Sequence, residues 1–174
     1  MKTAHFLLAA LVVCAGCGEG QPKPANGKGQ PEPAEGKLAL TPADTVEIQE
    51  AAFMHLLETF GTRKRLTLRV ETKREGREVF YGDVPPDLLT RLQTKHPRAE
   101  TGIETTDKDG TTVTKDTGEV IYVLTIGQIE RSSDEVEIKV SGSGGLMDGA
   151  GATLALKNKG GKWTITAFRH TWVA

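Results

Sequence analysis

Residues 120–174 read VIYVLTIGQIERSSDEVEIKVSGSGGLMDGAGATLALKNKGGKWTITAFRHTWVA and decide the fold. Apolar and polar residues alternate over residues 136–140, as they do in a half-buried strand. Turn-forming residues at 132–134 and 158–161 separate this stretch from its apolar neighbours. The pattern predicts a meander of four antiparallel strands.

The last strand of this meander has large side chains on both of its predicted faces. Alternate positions fall into two sets, Trp163, Ile165 and Ala167 on one face and Phe168, His170 and Trp172 on the other. Because successive side chains of a strand point to opposite faces, this pattern predicts a strand that is central, or covered on both sides near its end.

Two helices are predicted upstream of the meander. Thr41 supplies a hydroxyl for an N-cap, Pro42 fits the first helical position, and Asp44 places a carboxylate at the positive end of the helix. Apolar residues then recur at helical spacing as far as Phe60. A second helix must end before Pro97, which disfavours helical geometry in the preceding residue.

The segments around the second helix complete the predicted order of elements. Alternation over residues 66–70 and a return at 79–81 indicate a β-hairpin between the helices. Residues 98–118 are polar, which leaves a mobile loop or a loose hairpin as alternatives. The predicted fold is therefore α+β, with two helices on a curved antiparallel sheet in the order α-ββ-α-ββββ, within one domain over residues 38–174.

This order resembles the cone-shaped architecture of nuclear-transport-factor-2-like and cystatin-like domains over roughly residues 42–174. The chain is also similar to small uncharacterised bacterial proteins that have a glycine-rich hairpin and a C-terminal Gly-x-Trp. The matching motifs are Gly144-Gly145-Leu146, Gly149-Ala150-Gly151 and Gly161-Lys162-Trp163. The resemblance implies a hairpin and a core tryptophan but no catalytic residue, since cone-like domains include both enzymes and binding proteins.

The N-terminus has the pattern of an export signal. Lys2 and an apolar run over residues 6–13 precede the sequence Cys-Ala-Gly-Cys at 14–17, as in a secretory signal peptide. This tetrapeptide resembles the lipobox of bacterial lipoproteins, although its first cysteine stands where that motif has an aliphatic residue. The resemblance implies a signal peptide over residues 1–16 and lipidation of Cys17.

The sequence around the two cysteines does not have the residues that a redox pair, a haem-attachment site or a zinc site requires. A redox pair belongs to a folded βαβ unit, and haem attachment needs a histidine where Gly18 stands. A zinc site needs a second pair of ligands, but the chain has only these two cysteines and its histidines are scattered.

Residues 17–37 are expected to form the lipidated cysteine and a flexible linker. The tract 18–37 is rich in Pro, Gly and charged residues and has no bulky apolar side chain. A flexible chain of this length spans about 25 Å.

The net charge of −1 gives no reason to expect nucleic-acid binding, and the basic cluster over residues 63–77 is interpreted as the solvated face of a hairpin.

The most unusual stretch is the glycine-rich segment over residues 141–151. Glycine-rich loops bind phosphate when a helix follows them, whereas here the pattern of a strand follows. The segment therefore predicts a wide hairpin loop or a bulge, where glycine permits close approach of the backbone. Leu146 and Met147 are expected to fold back onto the core.

Two histidines are the candidates for catalysis, His55 at the edge of the first helix and His170 in the last strand. Either would need a hydrogen-bonding partner, and Asp148 is a candidate partner for His170 across the sheet. Asp107 and Asp109 match the start of a calcium loop, but the glycine and glutamate that such a loop requires farther along are missing. No catalytic residue, cofactor or metal site is assigned from the sequence.

We therefore expect a lipid-anchored protein of the bacterial cell envelope, with its domain outside the cytoplasm. The N-terminal lipid would contact the membrane, and the domain would bind an envelope partner or a small ligand without catalysing a reaction. The alternative is a small hydrolase or isomerase that acts in the concavity between helices and sheet. A histidine beside a carboxylate in a deep cleft would favour the enzyme, whereas a concavity filled by apolar side chains would favour binding.

Replacing Cys17 tests the predicted anchor. Expressed in a bacterial host, Cys17→Ser is expected to lose lipid labelling and membrane retention, because the acyl chains on this sulfur would be what holds the chain on a bilayer. Incorporation of labelled palmitate and membrane fractionation measure the effect, with Cys14→Ser as the matched control that keeps both. Labelling that persists in Cys17→Ser contradicts the assignment.

Overall fold

A computed structural model describes residues 39–63, 65–132 and 134–174. The signal peptide, Cys17 and the linker predicted over residues 1–37 lie outside the described residues. The helices and strands are α1 (Pro42–Phe60), β1 (Leu66–Glu75), β2 (Glu78–Asp83), α2 (Pro86–Gln93), β3 (Ala99–Glu100), β4 (Thr105–Lys108), β5 (Thr111–Thr114), β6 (Tyr122–Arg131), β7 (Val136–Gly145), β8 (Asp148–Lys159) and β9 (Lys162–Val173). Neither helix of this described part is long and apolar enough to cross a membrane.

The domain is α+β, with two helices and a mixed, open, mostly antiparallel sheet. The hairpin β1–β2 and the meander β6–β7–β8–β9 are antiparallel, as the sequence predicts. The two halves join through a parallel pair, in which β1 lies beside β6 from Leu66↔Tyr122 to Val70↔Ile126. The sequence gives no signal for this pair, because turn residues report only the pairing of strands that are neighbours along the chain.

The core lies between the helices and one face of the sheet. Helix α1 crosses this face and contacts β6, β7 and β9. The sheet contributes Leu66, Leu68, Leu124, Ile126, Ile138, Val140, Leu154 and Leu156 to this core, and the helices contribute Ile48, Phe53, Leu57, Leu88 and Leu92. Alternation of apolar and polar residues identified β1 and β7 in the sequence, whereas mostly apolar stretches identified β6 and β8.

Helix α1 begins with the cap that the sequence predicts. The Asp44 amide donates to Thr41 Oγ1 (3.1 Å), and the Thr41 amide donates to Asp44 Oδ2 (2.8 Å), which together form a capping box. The other carboxylate oxygen, Asp44 Oδ1, accepts a hydrogen bond from Trp163 Nε1 (2.9 Å). Trp163 is buried at the start of β9, so one carboxylate both caps the helix and links it to the sheet.

The polar segment 98–118 contains three short strands that the sequence did not separate. Of the two alternatives left open, the hairpin is correct, since β4 and β5 pair from Thr105↔Thr114 to Lys108↔Thr111. Asp107 Oδ1 accepts a hydrogen bond from the Gly110 amide (3.1 Å) and so stabilises the turn between them. This hairpin reaches the end of β7.

The prediction that the last strand is central or covered on both sides is wrong. Among the strands of the described residues, β9 pairs with β8 alone, and its residues are exposed from Thr166 onward. Bulges interrupt its pairing at Thr166 and at Thr171. Each bulge adds one residue and so reverses the face to which the following side chains point. Large residues therefore occur at both odd and even positions of β9, although it is an edge strand.

The bulges also redistribute the side chains of β9. Phe168 and His170, predicted to lie opposite Trp163, lie with it on the face that meets α1, since Phe168 contacts His55 of that helix. Trp172 lies on the other face, against β8.

The shared carboxylate of Asp44 makes stability depend on pH. Hydrogen bonds from Trp163 and then from Thr41 lower the pKa of Asp44. A carboxyl whose pKa is lower in the folded state stabilises the fold above its unfolded pKa of about 3.9, and the effect is lost as the pH falls through the folded pKa. We therefore expect Asp44→Asn to lower the urea midpoint at pH 7, and its difference from wild type to shrink toward pH 3.

The matched control is Asp87→Asn, which alters a carboxylate in the first turn of α2, where Pro85 offers no cap hydrogen bond. Its urea midpoint should stay close to wild type at both pH values. A difference between Asp44→Asn and wild type that stays constant between pH 7 and pH 3 would contradict the assignment.

Candidate functional site

Both candidate histidines line the same small cavity between α1 and the sheet. The ring centroids of His55 and Phe168 lie 5.1 Å apart, and those of Phe168 and His170 lie 4.5 Å apart. The remaining lining is mostly apolar and includes Leu56 and Val140. Each histidine therefore contacts the Phe168 ring between them.

This cavity offers little room for chemistry. Its volume is about 40 Å³, enough for water but not for an organic substrate. No carboxylate is among its described lining residues. The predicted pairing of Asp148 with His170 is wrong, because the register of β8 and β9 places His170 opposite Ala152, farther along β8.

The prediction of a wide glycine-rich loop is also wrong, whereas its alternative, a bulge, is correct. Strands β7 and β8 pair up to Gly145↔Asp148, with a register shift between Ser143 and Gly145. Only Leu146 and Met147 remain as the turn. Their side chains are 72% and 85% exposed instead of folded back onto the core, because the short turn directs them away from the end of the hairpin.

Glycines in this hairpin permit aromatic rings to pack directly on the strands. A Cβ at Gly142 would lie 2.9 Å from Phe60 Cε2, and one at Gly144 would lie 2.7 Å from Tyr122 Cδ2. The two rings stack on each other with centroids 5.2 Å apart. The close backbone approach expected of these glycines is therefore confirmed.

A third ring packs on the opposite face of the same hairpin. The indole of Trp172 lies across β8, and a Cβ would lie 2.9 Å from its Cη2 at Gly149 and 2.1 Å from its Nε1 at Gly151. Both rings of the indole thus contact glycine backbone. The hairpin is held between Trp172 on one face and the Phe60–Tyr122 pair on the other.

An ion pair and an aromatic ring lie beside the exposed end of the hairpin. Arg63 Nη2 lies 3.0 Å from Asp148 Oδ1, and its guanidinium carbon lies 4.8 Å from the centroid of the Tyr122 ring. The Tyr122 hydroxyl donates to the same carboxylate oxygen (3.3 Å). Burial and then the charge of Asp148 raise the pKa of Tyr122. We call Arg63, Tyr122, Leu146, Met147 and Asp148 together the hairpin end.

The basic cluster over residues 63–77 is largely paired within the chain. Arg65 contacts Glu119 (2.6 Å) and Arg74 contacts Glu71 (2.8 Å). Lys73 forms an ion pair with Glu75. The exposed residues 72–77 agree with the interpretation of the cluster as a solvated face of the hairpin, whereas Arg65 and Arg69 are half-buried and Glu71 is buried. Among the described residues, no group of three acidic, histidine or cysteine side chains is arranged to hold a metal ion.

The hairpin end was missed in the sequence, since its residues are far apart along the chain. Glycines at alternate positions on each strand, 142 and 144, then 149 and 151, are the signal that was available. Two such glycines leave a flat area on one strand face, which predicts a bulky ring packed on it.

No family model matches the chain, and comparisons with curated proteins and with solved structures give no significant match.

Adding a side chain at Gly151 tests the packing of Trp172. We expect Gly151→Ala to destabilise the fold by about 1–3 kcal/mol, the usual cost of overpacking, because the new Cβ would occupy the position of the indole. Urea unfolding followed by circular dichroism measures the change. In the Trp172→Ala background the cost should largely disappear, as a double-mutant cycle requires for contacting residues. An unchanged cost there contradicts the contact.

Proposed function

We propose that this protein is a lipid-anchored, non-enzymatic protein of the bacterial cell envelope whose α+β domain binds an envelope protein through the hairpin end. The lipobox pattern at Cys17 supports the anchor, and residues 18–37 would form the spacer. The observation that carries the binding role is the exposure of Leu146 and Met147 on a hairpin that is paired to its last residue.

The hairpin end presents its apolar side chains in a fixed position. The Leu146 amide donates to the Gly110 carbonyl (2.9 Å), so the β4–β5 turn supports the tip. Exposed apolar groups on an ordered surface are typical of protein interfaces. Methionine adapts its shape to a partner, and Arg63 is of a type enriched in interfaces. Together they favour a protein partner at this end.

The space between α1 and the sheet gives less support to the alternative, a hydrolase or isomerase. That mechanism would need an acid beside His55 or His170, but both rings contact Phe168. The cavity of about 40 Å³ that the two histidines line is likewise too small for an organic ligand. Binding on the outside of the domain is thus the better-supported function.

We also infer that the sheet has the cone-like curvature of nuclear-transport-factor-2-like and cystatin-like domains. Register shifts occur in β1, in β6 and twice between β8 and β9, and bulges bend and twist a sheet. Helix α1 crosses several strands of this sheet, as expected if the sheet curves around it.

The two ends of the domain would have different roles. The spacer would enter at the capped end of α1, where Asp44 contacts Trp163, and Trp163 pairs with Asn158 near the end of β8. Strand β8 begins at the hairpin end, and at about 3.3 Å per residue the two ends of this strand are about 36 Å apart. The proposed binding site therefore lies far from the attachment of the spacer.

Site-specific photo-crosslinking tests this function. A photoreactive residue at Met147, introduced into the full chain in a bacterial host, is expected to form an adduct with an envelope protein. The same residue at Lys159, exposed at the opposite end of β8, is the matched control and should form none. Leu146→Asp should abolish the adduct at 147, because a charge there is costly to bury in an apolar interface.

Equal adducts at positions 147 and 159 would contradict a specific interface at the hairpin end. Absence of an adduct at 147 in intact cells, with the protein present in the membrane fraction, would contradict it as well.

A further inference from the structure

The face of the sheet opposite α1 carries a continuous row of hydroxyl and aromatic side chains. Thr125 of β6 pairs with Ser141 of β7, and Ser141 pairs with Gly151 of β8. Gly151 in turn pairs with Trp172 of β9. Residues paired across neighbouring strands point to the same face, so these side chains form one row across the outer face.

Tyr81 extends this row on its other side. It pairs with Glu71 of β1, which shares a face with Arg69, and Arg69 is the partner of Thr125. Burial and then the charge of Glu71 raise the pKa of Tyr81, whereas Arg74 and a hydrogen bond with Thr125 lower it. Since these residues share one face of the sheet, the phenol lies on the same outer face as the hydroxyl of β6. We call Tyr81, Thr125, Ser141 and Trp172 the hydroxyl strip.

Both ends of the hydroxyl strip expose an aromatic surface. Tyr81 is 46% exposed and Trp172 is 44% exposed. Because the indole lies flat on Gly149 and Gly151, its other face is directed away from the sheet. Strands are spaced about 4.8 Å apart, which puts Gly151, under the indole, about 10 Å from Thr125.

The centre of the strip offers hydrogen bonds to a ligand. Thr125 Oγ1 and Ser141 Oγ lie 2.5 Å apart and are both partly exposed. Each hydroxyl has one donor and two acceptor positions. Their mutual bond and the bond of Thr125 with Tyr81 together leave at least two acceptor positions for donors of a ligand above the sheet.

Most charged side chains beside the strip are paired with one another, whereas Arg69 donates to the Ile103 carbonyl (2.9 Å) and to Thr105 Oγ1 (3.1 Å). Arg74 donates two hydrogen bonds to Glu71 (2.9 and 2.8 Å). Lys139 pairs with Glu130 (3.1 Å), and Arg169 pairs with Glu137. A surface that binds anionic polymers presents a stripe of basic groups, whereas on this face Arg74, Lys139 and Arg169 are each paired with a carboxylate. Charge complementarity therefore favours an uncharged ligand.

We propose that the hydroxyl strip binds a segment of a neutral polysaccharide. A pyranose ring has an apolar C–H face, which packs on an exposed aromatic ring, and a rim of hydroxyls, which exchange hydrogen bonds with Thr125 and Ser141. Two aromatic rings separated by a polar centre suit a short run of linked sugars better than a single one. This site uses other residues than the hairpin end and is independent of the lipid anchor.

Isothermal titration calorimetry of the purified full chain tests the proposal. The probes are neutral tetrasaccharides of β-1,4-linked glucose, α-1,4-linked glucose and β-1,4-linked N-acetylglucosamine, with heparin as the anionic comparison. At least one tetrasaccharide is expected to bind, and more tightly than its monosaccharide at equal sugar concentration, whereas heparin should not bind.

Variants then assign the binding to the strip. Tyr81→Ala and Trp172→Ala are each expected to weaken binding about tenfold or more, the effect of removing an important aromatic contact. Thr125→Val, which preserves shape and removes the hydroxyl, should also weaken it. The matched control is Phe80→Ala, because Phe80 is 44% exposed but points to the opposite face of β2, and its affinity should stay within about twofold of wild type.

The proposal is overturned if none of the tetrasaccharides binds wild type, or if Tyr81→Ala and Thr125→Val, folded by circular dichroism, bind as wild type does. Preference for heparin would overturn it too. Crosslinking from position 147 should be unchanged in Tyr81→Ala, so failure here is distinguishable from failure at the hairpin end.

Discussion

The hydrogen bond between Trp163 and Asp44 joins the first turn of the long helix to the edge strand of the sheet. Asp44 is already committed to the cap through its other oxygen, so the direction of the helix and the position of the strand are set by one side chain. With α1 held in this way across the sheet, Phe53 and Leu57 are buried against it.

The second constraint is the glycine-rich hairpin. Its glycines have no side chains, which allows aromatic rings to contact the backbone directly. The positions that Cβ atoms would take at these glycines are occupied by three aromatic rings, which pack directly against the backbone: Phe60, Tyr122 and Trp172. This packing holds the hairpin from both faces, so its turn is presented on a supported strand pair. The glycines therefore place Leu146 and Met147 in the solvent with a defined geometry and, on the other face, leave Trp172 lying flat.

Features that depend on local chemistry could be read from the sequence. The cap at Thr41, the helical spacing of α1 and the alternation in β7 are properties of neighbouring residues, and each predicted its element. The parallel pairing of β1 with β6 and the contact of Arg63 with Asp148 depend on segments far apart along the chain. The bulges at Thr166 and Thr171 carry no strong local signal, yet they decide on which face Phe168 and His170 lie.

The same two bulges have a consequence for how copies of the domain behave near one another. A long unpaired edge strand presents a regular row of amide and carbonyl groups, and such rows template aggregation. Strand β9 is such an edge, but each bulge interrupts the regular spacing of those groups. A second strand can therefore match only short pieces of it, which protects crowded molecules from joining their sheets into fibres.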